Sequence, residues 1–332
     1  MDHESRPRDL AGARIHVIVN PRAGRVPSHS RLSATLEAVA VRYGLEPLVA
    51  YTEAPGHATR LARRAVEQGC RAVIAVGGDG TLNEVINGVA ASDVAVGLIP
   101  AGTANVWARE AGVPRDPLAA LTAQFNAPVV PLDLGVVRRG GGDPAERAFL
   151  LMASYGVDAE AVRVVRPGLK RWVRGGAYLW AGLSAGLRYP GFHVRLDFDA
   201  GPPEEVESAL LVIGNTREYA GITQFTREAS AVDGALDVVA FRGAGLRAML
   251  RPLPMALLRR HLRSDRVLYR RARSVTLTPL DGRPLPTLQI DGDLGPPGAD
   301  TITLRPGALQ MFVPCAARPL FQPPTQGPPL PG

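Results

Sequence analysis

At 332 residues and a net charge of +7, the chain is long enough for two domains, and no apolar run reaches the roughly 20 residues of a membrane span. Lys170 is the only lysine, which excludes a Walker-type GK[ST] loop and leaves one candidate for lysine-based covalent chemistry. Cys70, Cys315 and six scattered histidines show no metal-ligand spacing, and the excess of arginine suits phosphate or anionic lipid as a partner or reflects composition bias.

The polar start, "MDHESRPRDLAG", lacks the apolar core of a secretory signal, so a cytoplasmic protein is expected. "ARIHVIVNPRAG" reads as a buried strand over 15–19 that breaks at Asn20-Pro21. Ser30 is placed to cap a helix whose apolar positions Leu32, Leu36, Val39 and Tyr43 recur at helical spacing. "LEPLVAYT" is a second strand and "PGHATRLARRAVEQG" a helix stopped by Gly69. "RAVIAV", "LNEVINGVA" and "AVGLIPAG" follow as strand, helix and strand. Such alternation gives a parallel sheet with helices on both faces. Beyond about Pro131 the rhythm changes. "RAFLLMASYG", "FHVRLDFD", "SALLVIGN", "ALDVVAFRG", "SVTLTPL" and "LPTLQIDG" are strand-like, which marks a mainly antiparallel second domain. The expected division is an α/β domain over 11–130 and a β-rich domain over 131–308. A last strand at 309–320 is placed to return to the first domain, and disordered tails are expected at 1–10 and 321–332.

Three short loops end parallel strands on one side of the first domain. The middle one is Gly77-Gly78-Asp79-Gly80-Thr81, running on through Leu82 and Asn83. It fails the dinucleotide pattern G-x-G-x-x-G, because the third glycine position is Asn83. Its glycines admit a ligand close to the backbone, and the helix that follows attracts anions. An aspartate beside phosphates repels them unless a cation intervenes, so Asp79 points to a Mg²⁺-nucleotide; the competing reading is a tight turn with Asp79 as a helix cap. The companion loops carry Asn20 and Gly24, and Gly102, Thr103 and Asn105. Ligands sit beyond the carboxyl ends of such strands, so the three together make a nucleotide site.

"NPRAG", "GGDGTLNEVINGV" and "IPAGTANVWARE", continued by "PLDLG", "YAGITQF", "ASAVDGALDV" and "LQIDGDLG", resemble the diacylglycerol kinase catalytic-domain family. GGDGT alone is shared with NAD kinases and phosphofructokinases; the ordered set is more specific. The resemblance implies a doubly wound, phosphofructokinase/NAD kinase-like N-terminal domain, an antiparallel β-rich C-terminal domain, and a nucleotide cleft between them. It implies transfer of the ATP γ-phosphoryl group to a lipid hydroxyl, with ATP and Mg²⁺ as cofactors. The implied nucleotide contacts are Asn20, Pro21, Arg22, Ala23, Gly24, Thr52, Gly77, Gly78, Asp79, Gly80, Thr81, Leu82, Asn83 and Thr103.

The family's general base lies in a D-G-E motif, which here reads Asp291-Gly292-Asp293. Asp293 is the expected base and Asp291 its rival; the aspartate falls about 1 Å short of a glutamate's reach, against the roughly 2.6–3.2 Å contact that proton abstraction needs. From the residues alone, the same tripeptide also reads as a hairpin turn. The resemblance further implies a structural Mg²⁺ loop with ligands Ser230, Asp233 and the carbonyl of Ala235, tied through water to Asp133. A type I turn is the competing reading there. Val106 and Glu228 stand where the family often has Asp and Pro.

A kinase that acts on a lipid must touch the bilayer. Arg163, Arg166, Lys170, Arg171 and Arg174 stand beside Trp172, Tyr178 and Trp180, and a second group comprises Arg259, Arg260, Arg263, Arg266, Arg270, Arg271 and Arg273. Cations with interfacial aromatics are expected at an anionic surface, here the inner face of the membrane, although both groups also read as solvated helix faces. No RNA-binding pattern accompanies them, so no specific nucleic-acid partner is expected. The alternatives are an NAD kinase-like enzyme and a catalytically silent lipid- or nucleotide-binding regulator. The acceptor lipid and the oligomeric state are not legible in the sequence.

Overall fold

The computed structural model describes residues 10–139, 146–159, 189–219, 223–245, 248, 261–295 and 300–321. They divide into two compact units, 10–133 with 306–321 and 134–305. The first cationic group, at 163–180, lies outside the described residues, as do Arg259 and Arg260. Among the described residues no helix is long and apolar enough to cross a membrane.

The first unit is an α/β sandwich. Strand β1 (Arg14–Val19) is an apolar run buried beyond its first residue. Helix α1 (His29–Tyr43) begins at Ser28, whose hydroxyl accepts the Arg31 N–H at 3.3 Å, and ends at Gly44 with φ +66°. The cap is therefore Ser28 and not Ser30, which already lies inside the first turn. Strand β2 (Glu46–Tyr51), α2 (His57–Glu67), β3 (Ala72–Gly77), α3 (Asp79–Val89) and β4 (Ala95–Pro100) follow in alternation. Two further helices, α4 (Val106–Glu110) and α5 (Pro117–Phe125), complete the order, the second capped by Asp116 with Pro117 at its first position.

The strands lie in the order β2-β1-β3-β4 and all pair in parallel. The chain thus moves outward in both directions from β1 and β3, and their carboxyl ends form the switch point where open α/β sheets bind ligands. Helices α1 and α5 pack together on one face, and α2 and α3 on the other. Gly88 lets the second pair close: a Cβ there would lie 2.5 Å from Ala62 Cβ and 2.6 Å from the Thr59 carbonyl oxygen. The Glu84 carboxylate accepts the N–H groups of Gly56 and Ala58 at 2.9 and 3.0 Å, capping α2 from α3.

The second unit is β-rich. Strand β5 (Val129–Arg139) enters it after Asp133 and pairs with β6 (Glu146–Phe149). Gly135 is required there, because a Cβ would meet the Phe149 ring at 2.0 Å. Next come β7 (Met152–Gly156), β8 (Phe192–Phe198), β9 (Glu204–Gly214), β10 (Leu236–Arg242), β11 (Val267–Ala272), β12 (Ser274–Pro279), β13 (Leu288–Ile290), β14 (Asp293–Leu294) and β15 (Asp300–Phe312). Strand β9 is the centre: it pairs antiparallel with β8 along its first half, with β7 along its second, and with β10 on the other side. Leu211 and Ile213 enter one hydrophobic cluster and Leu210 and Val212 another. Burial on both faces explains why this strand reads as an unbroken apolar run.

Two sequence expectations change here. "RAFLLMASYG" is two strands, because the backbone at 150–152 turns to meet a carboxylate. The stretch around Arg270 is strand β11 rather than a helix face, and Arg270 forms an ion pair with Glu204. Strand β15 is longer than the expected last strand, and its second part pairs in parallel with β4 in the first unit, Gln310 facing Ala95.

Candidate functional site

The three loops after β1, β3 and β4 meet at the switch point, held by contacts that only glycine allows. A Cβ on Gly102 would sit 2.5 Å from Gly78 Cα and 2.8 Å from Asn105 Oδ1, so the second and third loops touch backbone to backbone. Asn105 adopts the left-handed conformation, φ +47°, and ties its own loop: the Gly102 N–H donates to Oδ1 at 2.9 Å, and Nδ2 donates to the Gly102 carbonyl at 2.9 Å. Asn20 joins the first loop to the second. Its Nδ2 donates to the buried Thr81 hydroxyl at 3.0 Å, and its Oδ1 accepts the Arg22 N–H at 3.0 Å. The Ala23 N–H closes the turn on the Asn20 carbonyl at 3.1 Å, and the Arg25 N–H reaches the Ala101 carbonyl at 2.8 Å. Gly24 lies opposite Thr103: a Cβ there would stand 3.9 Å from the Thr103 hydroxyl. Pro21 and Arg22 are exposed, and Thr52 closes β2 with its N–H on the Val19 carbonyl at 2.8 Å.

The first intrahelical bond of α3 runs from the Leu82 N–H to the Gly78 carbonyl at 3.0 Å. The N–H groups of residues 79, 80 and 81 precede it and have no intrahelical acceptor, which suits them to an anion at the helix start. Asn83 is buried one turn further on, its carbonyl accepting from Asn87 at 2.9 Å. Asp79 takes a different course. Its Oδ1 accepts the Trp107 N–H at 3.2 Å, so the carboxylate caps α4 rather than its own helix. Burial pushes its carboxyl above the usual range, while backbone N–H groups from Val106, Trp107, Asp79 and Asn105 pull the other way.

In the second unit, Asp291 and Asp293 have different surroundings. Asp291, at φ +47°, is buried. Its Oδ2 accepts the Leu150 N–H at 2.9 Å, and its Oδ1 accepts those of Leu151 and Met152 at 3.0 and 2.9 Å. Both oxygens are committed to the β6–β7 turn. Asp293 is half-exposed on β14, and its Oδ2 pairs with Arg147 Nη2 at 3.0 Å. Arg147 was not singled out by the sequence; only the fold brings β6 to the hairpin of β13 and β14.

The proposed metal loop is closed by a guanidinium. Asp233 Oδ1 accepts the Ala235 N–H at 3.1 Å, and its Oδ2 lies 2.5 Å from Arg271 Nη2. Arg271 Nε stands 3.8 Å from the buried Asp237. Burial pushes Asp237 up to about 7, although the Tyr269 hydroxyl, donating at 2.5 Å, and Arg271 favour its charged form. Ser230 contributes its carbonyl to the turn, accepting the Asp233 N–H at 3.2 Å. Among the described residues no three His, Cys, Asp or Glu side chains form a group that could hold a metal ion. Of the expected ligands Ser230, Asp233 and the carbonyl of Ala235, the Asp233 carboxylate is paired with Arg271 in this structure. Asp133 is buried in the first unit and accepts the Gly307 N–H at 2.8 Å. A further half-buried set was missed entirely: Asp158 accepts from Ser154 and, at 3.0 Å, from the Tyr219 hydroxyl.

Residues 14–137 match the diacylglycerol kinase catalytic domain family, and residues 152–313 match the YegS C-terminal NAD kinase beta sandwich-like domain. The chain is 30% identical over 285 residues to a diacylglycerol kinase of Bacillus subtilis, covering 85% of this chain and 90% of that one. It is 28% identical over 284 residues to a diacylglycerol kinase of Staphylococcus carnosus, covering 85% and 89%. The crystal structure of a diacylglycerol kinase from Bacillus anthracis overlays with a TM-score of 0.68 at 21% identity, covering 92% of this chain and 98% of that one, which shows a common fold.

Proposed function

The chain belongs to the diacylglycerol kinase family, and from that premise we propose that it transfers the γ-phosphoryl group of ATP to a lipid hydroxyl at an anionic membrane surface. The observation that carries this reading is the convergence of three loops at the β1/β3 switch point, locked by the Gly78–Gly102 contact. The backbone N–H groups that open α3 receive phosphate oxygens, and the Asn20–Thr81 bond keeps the first loop against them. Mg²⁺ enters with ATP as part of the donor substrate and offsets charge on its phosphates. Asp79 acts here as a positioning residue: by capping α4 it fixes the loop at 101–105.

The base is Asp293. Its carboxylate receives the proton of the lipid hydroxyl as the oxygen forms a bond to the γ-phosphorus, and the bond to the β-phosphate oxygen breaks to release ADP. Arg147 holds one oxygen of that carboxylate and leaves the other for the incoming hydroxyl. Asp291 shapes the turn and takes no proton, since three N–H groups already occupy its oxygens. A binding-only role has one observation in its favour: Asp79 faces a helix and Val106 adds no carboxylate. Incubation with a total lipid extract and γ-labelled ATP, followed by mass spectrometry, separates the two. A phosphorylated lipid that depends on the enzyme is the expected result; nucleotide binding with no labelled lipid would leave only the silent regulator.

A further inference from the structure

Strand β2 ends the sheet of the first unit: it pairs with β1 on one side, and no described strand pairs with the other. The N–H groups of Glu46 and Thr52 reach the Ala13 and Val19 carbonyls at 3.0 and 2.8 Å. In a parallel ladder the N–H and C=O of one residue point the same way and alternate along the strand, so Leu48 and Ala50 also face β1. The backbone groups of Pro47, Val49 and Tyr51 therefore face outward. The side chains are as open as the backbone. Val49 and Tyr51 lie in register with the buried Val17 and Val19, yet they are 45% and 43% exposed, and Leu48 on the opposite face of the sheet is 43% exposed. An apolar edge of this kind associates unless charge, proline or a bulge blunts it. Between Glu46 and Glu53 no residue is charged, and Pro47 removes a donor only at the start of the strand.

We propose that this edge docks on the same edge of a second copy of the chain, antiparallel about a two-fold axis at Val49 or Ala50, and joins the two sheets edge to edge. The outward set is self-complementary, which a two-fold contact requires. With the axis at Ala50, Val49 exchanges both backbone bonds with Tyr51 of the second copy, and symmetry doubles them to four. With the axis at Val49, that residue exchanges two bonds with its own counterpart. Each Tyr51 N–H then reaches the Pro47 carbonyl of the other copy, which again makes four. In both registers Val49 and Tyr51 meet apolar partners on one face, either each other or Val49 and Pro47, and such cross-strand pairs are favourable. Charge opposes a parallel pairing, which would set Glu46 beside Glu46 and Glu53 beside Glu53; the antiparallel registers place Glu46 opposite Ala54 or Thr52. An extended peptide from another protein would find the same donors, but it would not need the outward groups to repeat about a centre. The contact is of the small class, below about 1,200 Å², so the association is reversible and depends on concentration.

The test uses the full chain. Sedimentation velocity across the micromolar range measures the dimer fraction, and hydrogen exchange read by mass spectrometry follows residues 46–52. The expected result is a monomer–dimer equilibrium in which protection of the Val49 and Tyr51 amides grows with the dimer fraction. Val49→Lys puts a charge at the contact in both copies and should weaken the dimer by about tenfold or more. Val49→Thr keeps the branched shape and the N–H and should weaken it less. Thermal unfolding shows whether each variant is folded; if Val49→Lys is not, the exchange measurement on the unaltered chain decides alone. A monomer at every concentration, a dimer indifferent to Val49→Lys, or a dimer whose two amides exchange as fast as in the monomer would overturn the proposal. So would amides already protected in the monomer, because another segment of the same chain would then hold the edge. Lipid phosphorylation plays no part in these readouts, so its absence would count against the kinase reading and leave this one standing.

Discussion

The loop after β3 and the turn between β13 and β14 both set aspartates against a glycine, yet they expose different things. In the first, Gly78 and Gly102 touch, Asp79 is turned onto α4, and what faces outward is backbone N–H. In the second, Asp291 is buried on three N–H groups and Asp293 stands half-exposed beside one arginine. One region offers a ligand the absence of side chains; the other offers a single carboxylate. Acids within a motif are thus told apart by how many of their oxygens the backbone already holds.

The sharpest break of this comparison is Asp293→Asn. It keeps the shape but removes the proton acceptor, so kcat should fall by about 10²–10⁴-fold. ATP affinity should persist, and stability should move little, because an exposed ion pair such as Asp293–Arg147 contributes about 0–1 kcal/mol. Single-turnover kinetics with calorimetric ATP titration check both halves; retained turnover would shift the base elsewhere. Asp291→Ala should do the reverse. It strips three buried N–H groups of their acceptor, and urea unfolding should show a loss on the order of 3–5 kcal/mol. If the two substitutions behaved alike, the division between a structural and a reactive acid would fail.

A smaller effect sharpens the other half. Gly102→Ala forces the second and third loops apart, at a cost of about 1–3 kcal/mol for overpacking. ATP affinity should fall with it, by about tenfold if the loops open enough to lose one phosphate contact. Gly24→Ala supplies the contrast, since its nearest neighbour, the Thr103 hydroxyl, is 3.9 Å from the added carbon. Thermal unfolding of that variant should match the unaltered chain.

The α/β half was legible because burial and periodicity coincide: β1, β3 and β4 are apolar runs followed by helices with one apolar face. The β-rich half was legible in class, but its joints were not. Nothing local to "FLLMAS" marks a break, because the carboxylate that bends it comes from Asp291, distant in sequence. The arginines of β11 read as a solvated patch, since their partners Glu204, Asp233 and Asp237 are assembled only by antiparallel pairing. The same limit applies to Asp79. Its charge was visible, and its partner, the start of α4, lay 28 positions on.

The smallest expected effect concerns pH and lies in the second unit, away from both regions compared. His261 is buried against Phe225 and Phe241, with Nε2 2.8 Å from the Phe225 carbonyl oxygen. That contact makes Nε2 the protonated nitrogen and leaves Nδ1 buried without an acceptor or donor partner among the described residues. Burial lowers its pKa and the charge of Arg227 adds to this, against the opposing pull of the Phe225 carbonyl. A histidine whose folded value is depressed binds its proton more readily when unfolded. Its contribution to stability is therefore present above the unfolded value near 6.5 and is lost as pH falls from there through the folded value, by about 1.4 kcal/mol for each pH unit separating the two. Asp158 and Asp237, both raised, titrate with the opposite sign, so the total profile mixes the two. The difference between the unaltered chain and His261→Gln isolates the histidine. Glutamine keeps an N–H for the Phe225 carbonyl and cannot be protonated, so the unaltered chain should lose stability relative to the variant between pH 7 and pH 5. A flat difference in urea midpoints across that window would mean that His261 is solvated when charged and that the aromatic cluster around it opens more readily than its burial implies.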